Sequence, residues 1–239
     1  MTKVTPYNNS KSKKEQITTM FDNIAKSYDF LNHSLSLGMD NIWRKKAIKK
    51  LTNDPKNILD VATGTADFAI IAAKYTNAQI TGIDISQGML DVGIKKIAKK
   101  KIDKRIKLQR ADSEKLPFNN NSFDAITVGF GVRNFENLEK GLSEIYRVLN
   151  TNGVIAILEP STPNFFPLKQ LYHIYFHNIL PIIGSLISKD KNAYKYLPDS
   201  VREFPNKKDF INILKKIGFK KCEYFPLTFG IVSLYIAIK

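Results

Sequence analysis

The stretch ILDVATGTAD, residues 58–67, decides the fold. Its apolar start is typical of a β-strand, and the small residues 62–66 follow at once. The next segment, FAIIAAKY at residues 68–75, has the composition of a helix start. Small side chains let the backbone approach a ligand closely, and the free N–H groups at a helix start can bind it. The stretch therefore predicts a nucleotide-binding loop.

The length and composition indicate one soluble α/β domain. The 239 residues can form a single full core, and the 43% hydrophobic content is ordinary for a globular protein. The single cysteine, Cys222, excludes internal disulfides and a cysteine-based zinc site, which fits a reducing compartment. The first residues lack the apolar core of a signal peptide, and residues 1–12 are predicted to form a flexible tail.

The net charge of +15 is compatible with an anionic partner but does not require one. The densest basic run is KKIAKKKIDKRIK, residues 95–107, and it is most simply interpreted as a solvated helix face and turn. No nucleic-acid motif accompanies it, so we expect no nucleic-acid partner. A weak contact with an anionic membrane surface is the better functional interpretation, and the chain could also form a homodimer.

Strand-like and helix-like segments alternate along the chain. Such alternation predicts a mainly parallel sheet with helices on both faces. The last 20 residues hold two strands joined by a short turn. Two strands joined this briefly must run antiparallel, so the last strand of the sheet is reversed. Strands are expected at 57–61, 78–84, 106–112, 123–131 and 154–160, and helices at 67–74, 86–99 and 138–149.

Polar residues or glycines stand where these strands end, at the edge where ligands bind in open α/β sheets. Asp60 and Thr65 flank the first turn, and Asp84 ends the second strand 20 residues after Gly64, the spacing at which an acid bonds a ribose hydroxyl. A further acid, Asp112, is followed by Ser113 after the third strand, and Gly129 ends the fourth. Each acid alone could be a loop cap, but together they favour a nucleotide site.

The nature of the nucleotide follows from what the loop contains and lacks. It has neither the glycine spacing of a nicotinamide fingerprint nor the lysine of a triphosphate loop. The pattern LDVATGTAD, GIDIS, RADSEKLPF and FDAITVGFGVRN resembles the class I S-adenosylmethionine-dependent methyltransferases, although Ala62 and Ala66 stand where many members carry glycine. The resemblance implies a Rossmann-like, mostly parallel seven-stranded sheet and S-adenosyl-L-methionine as cofactor. The cofactor-binding residues are then predicted to be Asp60, Gly64, Thr65, Asp84, Met89, Asp112, Ser113 and Gly129.

A narrower resemblance covers nearly the whole chain. The stretches SYDFLNHSLSLGMDNIWR (27–44), GFGVRN (129–134), YRVLNTNGVIAILEPS (146–161) and AYKYLPDSVREFP (193–205) are similar to the ubiquinone/menaquinone biosynthesis C-methyltransferase family. Asp40 departs from that pattern, because several members have histidine there. The resemblance implies one methyltransferase domain at 13–239, with a helical substrate cap at 13–50 and an insert at 162–205 between strands five and six.

The reaction that the resemblance implies is methyl transfer to a ring carbon of a polyprenylated quinol. Such an enzyme must align the methyl group with the carbon and help to remove a phenolic proton. Arg133 and Tyr28 are the candidate catalytic residues, and Asp29, Asn32 and Asn134 are the candidate substrate-binding residues. Arg133 could stabilise a phenolate or form a structural ion pair, and Tyr28 could be a core residue. The base cannot be assigned from the sequence.

The insert contains a long apolar segment, residues 165–188, that resembles a membrane span at first sight. Its polar residues fall on one side and Pro181 interrupts it, so we predict an amphipathic helix or helix pair at the active site or at a membrane interface. Simple core packing remains an equal alternative. His173 and His177 have helical metal-ligand spacing, but the segment lacks the glutamate of a zinc-protease motif, and no metal is expected.

The resemblance favours 2-demethylmenaquinol as the substrate, in menaquinone biosynthesis, with the enzyme in the cytoplasm and peripherally attached to the inner face of the cell membrane. The alternative substrates are 2-methoxy-6-polyprenyl-1,4-benzoquinol of ubiquinone biosynthesis and another small molecule. A binding module that has kept only the cofactor fold is the non-enzymatic alternative.

Overall fold

A computed structural model describes residues 4–163, 165–174, 191–205 and 207–239. Within these residues the chain forms one seven-stranded sheet. Its strands are β1 (Asn57–Val61), β2 (Gln79–Asp84), β3 (Ile106–Arg110), β4 (Phe123–Gly129), β5 (Leu149–Pro160), β6 (Lys220–Leu227) and β7 (Val232–Ile238). The helices are α1 (Lys13–Leu35), α2 (Met39–Ile48), α3 (Asp67–Tyr75), α4 (Gln87–Lys100), α5 (Leu138–Val148), α6 (Leu168–Ile174), α7 (Lys191–Glu203) and α8 (Lys208–Ile217).

The sheet has the strand order β3-β2-β1-β4-β5-β7-β6. Strands β1 to β5 pair in parallel, whereas β7 lies antiparallel between β5 and β6. The predicted α/β class with a reversed last strand is confirmed, and the reversed strand is held between two neighbours instead of forming the edge. Because the strand order reverses at β1 and β4, a crevice opens beyond their carboxyl ends, where ligands bind in such sheets.

The two faces of the sheet bury separate clusters of apolar side chains. Leu59 and Val61 pack on one face with residues of α5 and α8, while Ile58 packs on the other with residues of α2, α3 and α4. This division follows from the strand geometry, since successive side chains point to opposite faces. The sheet is therefore covered on both sides, and only its edges and ends remain for a binding site.

Helix α1 begins with a capping box in which Ser12 and Glu15 bond each other's backbone N–H groups. Its apolar side packs with α7 in a third cluster, which includes Met20, Ile24 and Tyr196. The described part of the predicted tail, residues 4–12, lies close to α1, since the Tyr7 N–H donates to Gln16 Oε1 at 2.9 Å. Flexibility of residues 1–12 and the division into cap and insert stay predictions.

Candidate active site

Two cavities meet at the carboxyl ends of the parallel strands. The first, which we term the cleft, lies beside β1, β2 and β4 and comprises about 690 Å³, part of it open to solvent. The second, which we term the cavity, lies between α1, α2, α6 and α7 and comprises about 1770 Å³, part of it also open to solvent. Phe21, Tyr28, Phe130 and Asn134 line both, so the two spaces adjoin each other there. A group bound in the cleft can therefore face a molecule bound in the cavity.

The floor of the cleft is the turn after β1. Ala62, Gly64 and Ala66 all have positive φ angles, of 53°, 55° and 67°. The two alanines thus hold the left-handed conformation that glycine adopts more easily. A Cβ atom on Gly64 would lie 3.2 Å from Met89 Cε, which shows how closely the turn packs against α4.

Asp84 stands at the carboxyl end of β2 and lines the cleft. Its carboxylate accepts hydrogen bonds from the N–H groups of Gly64 at 2.8 Å and Ser86 at 2.9 Å. Burial raises the pKa of Asp84 to about 6 despite these bonds. A ribose diol that donates to the free lone pairs would favour the ionised form, so the geometry and the chemistry of this acid both fit the predicted cofactor.

Asp112, Ser113 and Met89 also line the cleft, and beside Asp112 lies an ion pair that the sequence did not predict. Lys14 of α1 lies 2.7 Å from Asp112 and 3.5 Å from Glu114. Burial alone would lower the pKa of Lys14, but the two acids raise it above its ordinary value. Helix α1 therefore closes one side of the cleft. No local sequence signal separates this role from simple helix packing.

Six of the eight predicted cofactor residues line the cleft, and two do not. Asp60 is buried beneath the turn, where Thr127 donates to it at 2.7 Å and burial raises its pKa to about 6. Thr65 donates to Asp29 of α1. In this arrangement both residues support the loop from behind, and a direct role in cofactor binding stays a prediction.

The cavity is largely apolar, with side chains such as Met20, Ile24 and Trp43 in its walls. Its charged groups, Asp40, Arg44 and Arg133, belong to two buried ion pairs. Arg133 contacts Glu159 at 2.9 Å, and the two side chains are 9% and 0% exposed. The Arg133 guanidinium also donates to the backbone oxygen of Phe130 and to Ser200 Oγ. Burial raises the pKa of Glu159, although the cation beside it opposes that shift.

The ion pair and the cavity position of Arg133 coexist, so the two interpretations of this residue do not exclude each other. Arg133 lines the cavity, while Glu159 is fully buried behind it. The carboxylate compensates the charge of the guanidinium before any ligand binds. An anionic ring oxygen would therefore share Arg133 with Glu159 instead of meeting a lone cation.

Three of the other predicted quinol residues face the cavity. Tyr28 shares a hydrogen bond with Asn32, and burial raises the pKa of Tyr28. Asn134 accepts a hydrogen bond from the Tyr196 hydroxyl at 3.1 Å. Tyr196, which the sequence did not single out, has its pKa raised by burial to about 12. These neutral groups can donate to a ring oxygen without removing its proton.

Asp29 lies in neither cavity wall. It accepts from Thr65 and lies 2.7 Å from Lys96 of α4, which also contacts Asp67 at the start of α3. This network ties α1 to the helices that flank the first turn. The structure thus places Asp29 in the support of the site, and its predicted contact with substrate stays a prediction.

The second buried ion pair joins Asp40 and Arg44 of α2, both of which line the cavity. Arg44 lies 5.8 Å from the centre of the Phe130 ring, a cation–π distance. Phe130 holds a positive φ of 61°, which is unusual for an aromatic residue and sets its ring at the junction of the two spaces. No sequence pattern had singled out Arg44.

One group of possible metal ligands exists among the described residues, formed by His33, Asp40 and Asp67. Arg44 contacts Asp40, and Lys96 contacts Asp67, so cations of the protein already compensate both acids. The predicted pair His173 and His177 cannot be compared, because the side chain of the first and the whole of the second lie outside the described residues.

Most of the predicted amphipathic segment, namely positions 175–188, also lies outside the described residues. Its beginning forms α6, whose residue Leu171 lines the cavity. Among the helices that the structure describes, none has the length and apolarity needed to cross a bilayer.

Comparison with known proteins gives consistent results. The ubiE/COQ5 methyltransferase family matches residues 9–239. A demethylmenaquinone methyltransferase of Bacteroides fragilis is 50% identical over 99% of this chain and 98% of its own length. The demethylmenaquinone methyltransferase of Chlorobaculum tepidum is 49% identical, over 95% of this chain and 93% of its own length. A Geotalea daltonii relative named ubiquinone/menaquinone biosynthesis C-methyltransferase is 48% identical, over 95% of this chain and 97% of its own length.

Solved structures share the fold at low sequence identity. A SAM-dependent methyltransferase of Thermotoga maritima superposes with a TM-score of 0.64 at 16% identity, over 92% of this chain and 99% of the other. The phosphoethanolamine N-methyltransferase 2 of Haemonchus contortus, in complex with S-adenosyl-L-methionine, gives a TM-score of 0.56 at 19% identity, over 77% of this chain and 48% of the other. These similarities support the class I methyltransferase fold.

Proposed function

The chain belongs to the ubiE/COQ5 methyltransferase family, and from this premise we propose that it methylates a ring carbon of 2-demethylmenaquinol. The predicted fold, enzyme class and cofactor are confirmed: the chain is a C-methyltransferase that uses S-adenosyl-L-methionine. The names of the relatives support the naphthoquinol as substrate.

We assign the cleft to the cofactor, whose sulfonium supplies an activated methyl group. Asp84 would accept from the ribose hydroxyls, Asp112 would lie towards the adenine, and the turn at Gly64 would lie against the methionine end. The pKa of about 6 for Asp84 keeps the acid ionised at neutral pH. Its two backbone donors hold the carboxylate in one orientation, so little ordering cost remains when the cofactor binds.

The observation that carries the proposal is the apolar cavity that adjoins the cleft at Tyr28 and Phe130. A quinol with a prenyl tail needs apolar walls for the tail and a few polar groups for its two ring oxygens. The cavity offers both, since the pairs Arg133–Glu159 and Asp40–Arg44 lie in otherwise apolar surroundings. A small polar substrate would leave most of these apolar walls without an apolar group to contact.

Arg133 would stabilise the ring oxygen as its hydroxyl ionises, because the guanidinium remains charged and can donate several hydrogen bonds. Ionisation raises the electron density at the neighbouring ring carbon, which is the nucleophile. This contribution grows towards the transition state and so affects the rate more than the binding of substrate. Glu159 holds the guanidinium in place from the buried side.

We also propose peripheral attachment to a membrane at the mouth of the cavity. Leu37 and Leu171 line the cavity yet are 89% and 56% exposed. Phe166, which precedes Leu171 by five residues, and Phe229, which follows the cavity residue Thr228, are 80% and 73% exposed. We term these four side chains the rim, and exposed apolar side chains of this kind are typical of a lipid or protein contact. It would let a membrane-embedded quinol enter without crossing water. The predicted location in the cytoplasm and a homodimer stay predictions.

The test is transfer of a radiolabelled methyl group from the cofactor to purified quinols with short prenyl tails. We expect the 2-demethylnaphthoquinol to be methylated with a higher kcat/KM than the 2-methoxy-6-prenyl-benzoquinol. The reverse preference would assign the enzyme to the benzoquinol. No transfer to either quinol, with cofactor binding intact, would favour another methyl acceptor or a binding module.

A further inference from the structure

A line of polar atoms leads from the cavity to the protein surface through the start of α2. Asp40 is 3% exposed and lines the cavity, and its Oδ1 atom accepts a hydrogen bond from Ser36 Oγ at 2.9 Å. Its Oδ2 atom lies 2.8 Å from Nδ1 of His33, on the last turn of α1. The His33 side chain is 36% exposed, so the line ends at solvent.

The proposed reaction needs such an exit, because each turnover releases one proton. The quinol O–H bond breaks and its electron pair stays on oxygen. A ring π pair then forms the new C–C bond, and the pair of the broken C–S bond stays on sulfur. The ring hydrogen finally leaves as a proton to restore aromaticity, and the quinol oxygen regains a proton. The net product is one proton inside an apolar cavity, where a charge is costly.

We propose that Asp40 and His33 form a proton relay that carries the quinol hydroxyl proton out of the cavity. The inference rests on the proposed function and supplies the base that the sequence could not assign. Asp40 would accept the proton at Oδ2 and pass that same proton to Nδ1 of His33, which lies 2.8 Å away and must carry its ring hydrogen on Nε2 at that moment. His33 would then release a proton to water. His33 touches no substrate and acts through Asp40.

The surroundings of Asp40 make it a carrier instead of a final acceptor. Burial alone would raise the pKa of Asp40, but Arg44, His33 and Ser36 together lower it below its ordinary value. A carboxylate that stays ionised does not keep a proton, so the proton must continue to a stronger base. The imidazole of His33 supplies that base, since its Nδ1 lies 2.8 Å from Asp40 Oδ2 and its side chain reaches water.

The charged groups that face His33 come from three helices. Asp40 and Arg44 belong to α2, Asp67 of α3 lies 3.5 Å from His33 Nε2, and Lys96 of α4 contacts Asp67. The ring of His33 thus lies between two carboxylates, and each of these also contacts a cation of the protein, Arg44 or Lys96. The Nδ1 atom is buried and not aligned for a straight hydrogen bond, so a small rotation of the ring accompanies the transfer.

The structural alternative is that His33 simply joins α1 to α2. The variant His33→Asn tests this, because an amide can keep a polar contact with Asp40 but cannot titrate. Lys96→Gln is the matched control, since Lys96 also joins α1 to α3 through Asp29 and Asp67 and lines neither cavity. The measurements are kcat and KM with the short-tailed naphthoquinol from pH 5.5 to pH 9, the cofactor Kd and the melting temperature.

The relay predicts that kcat of His33→Asn falls about 100-fold, the usual size of a lost proton-transfer group. The acid limb of the kcat profile should disappear, while KM and the cofactor Kd stay within about twofold. Lys96→Gln should keep the acid limb. In His33→Ala, added imidazole should restore kcat in proportion to its free-base concentration, since the site is partly open to water. If His33→Asn does not fold, His33→Ala serves as the test variant.

An unchanged kcat and acid limb in a folded His33→Asn would overturn the relay. The relay would also be overturned if His33→Asn lost kcat together with cofactor affinity, to the same extent as Lys96→Gln, and if imidazole did not restore kcat in His33→Ala. Failure of the proposed function would be recognised separately, because the wild-type protein itself would then not methylate the naphthoquinol.

Discussion

The buried pair between Arg133 and Glu159 allows the catalytic and structural roles of Arg133 to be separated. The variant Arg133→Met removes the cation and leaves the Glu159 carboxylate, which is fully buried, without that partner. A buried charge stripped of its partner costs about 3–5 kcal/mol. Glu159 can escape by binding a proton, which at pH 7 costs about 3–4 kcal/mol for an ordinary glutamate. The two estimates agree on about 3–4 kcal/mol.

A loss of this size lowers the melting temperature by about 6–16 °C in a chain of this length. The loss should shrink by about 1.4 kcal/mol for each pH unit below 7, because protonation of Glu159 becomes easier. The double variant Arg133→Met/Glu159→Gln should recover most of the stability, since it removes both charges. Lys216→Met, which breaks the exposed pair Lys216–Glu139, is the control and should cost about 0–1 kcal/mol.

Activity then decides the role. If Arg133 stabilises the ionising quinol, kcat should fall about 100-fold or more in both the single and the double variant. Cofactor affinity should change little in the double variant. Recovery of kcat along with stability would refute the catalytic role and leave Arg133 as a counterion of Glu159. A melting temperature of Arg133→Met equal to that of the control would refute the energetic reasoning itself. The measurements are calorimetric melting from pH 5 to pH 7 and radiolabelled methyl transfer.

Three further predictions concern the cleft, the junction and the rim. Asp84→Ala should weaken cofactor affinity about 5- to 150-fold by titration calorimetry, since about 1–3 kcal/mol of hydrogen bonding is lost. In the wild type, cofactor affinity should fall up to about tenfold for each pH unit below 6. The reason is that Asp84, with its pKa of about 6, must then lose a proton before it can accept from the ribose. An affinity that does not change with pH would remove Asp84 from the site. Tyr28→Phe should lower kcat/KM about fivefold, from the loss of about 1 kcal/mol of hydrogen bonding, and unchanged kinetics would make Tyr28 a packing residue. Leu37→Ser combined with Phe229→Ser should reduce co-sedimentation with anionic vesicles at both low and high salt. If high salt by itself releases the wild-type protein from the vesicles, the attachment is through lysines instead.

Much of the fold was determined by local sequence patterns. The apolar run before the small residues 62–66 predicted β1 and its turn, and the predicted β1, 57–61, agrees with the structure at both ends. Asp84 could be assigned to the ligand site because parallel strands bring their carboxyl ends to one edge of the sheet, regardless of the conformation of the loops between them. The short final connection required an antiparallel pair for steric reasons alone. Such features depend on neighbours in the chain, which the sequence states directly.

What only the tertiary structure decided are the contacts between distant segments. Asp29 and Asn32 are three residues apart on α1, yet one supports the first turn and the other lines the cavity. Lys14 reaches Asp112 across the cleft, and Glu159 lies behind Arg133, pairings that no spacing in the sequence reveals. A charged side chain looks the same in the sequence whether it faces water, a ligand or a buried partner. Its role is set by the low-dielectric surroundings that the other elements create, and those exist only once the chain has folded.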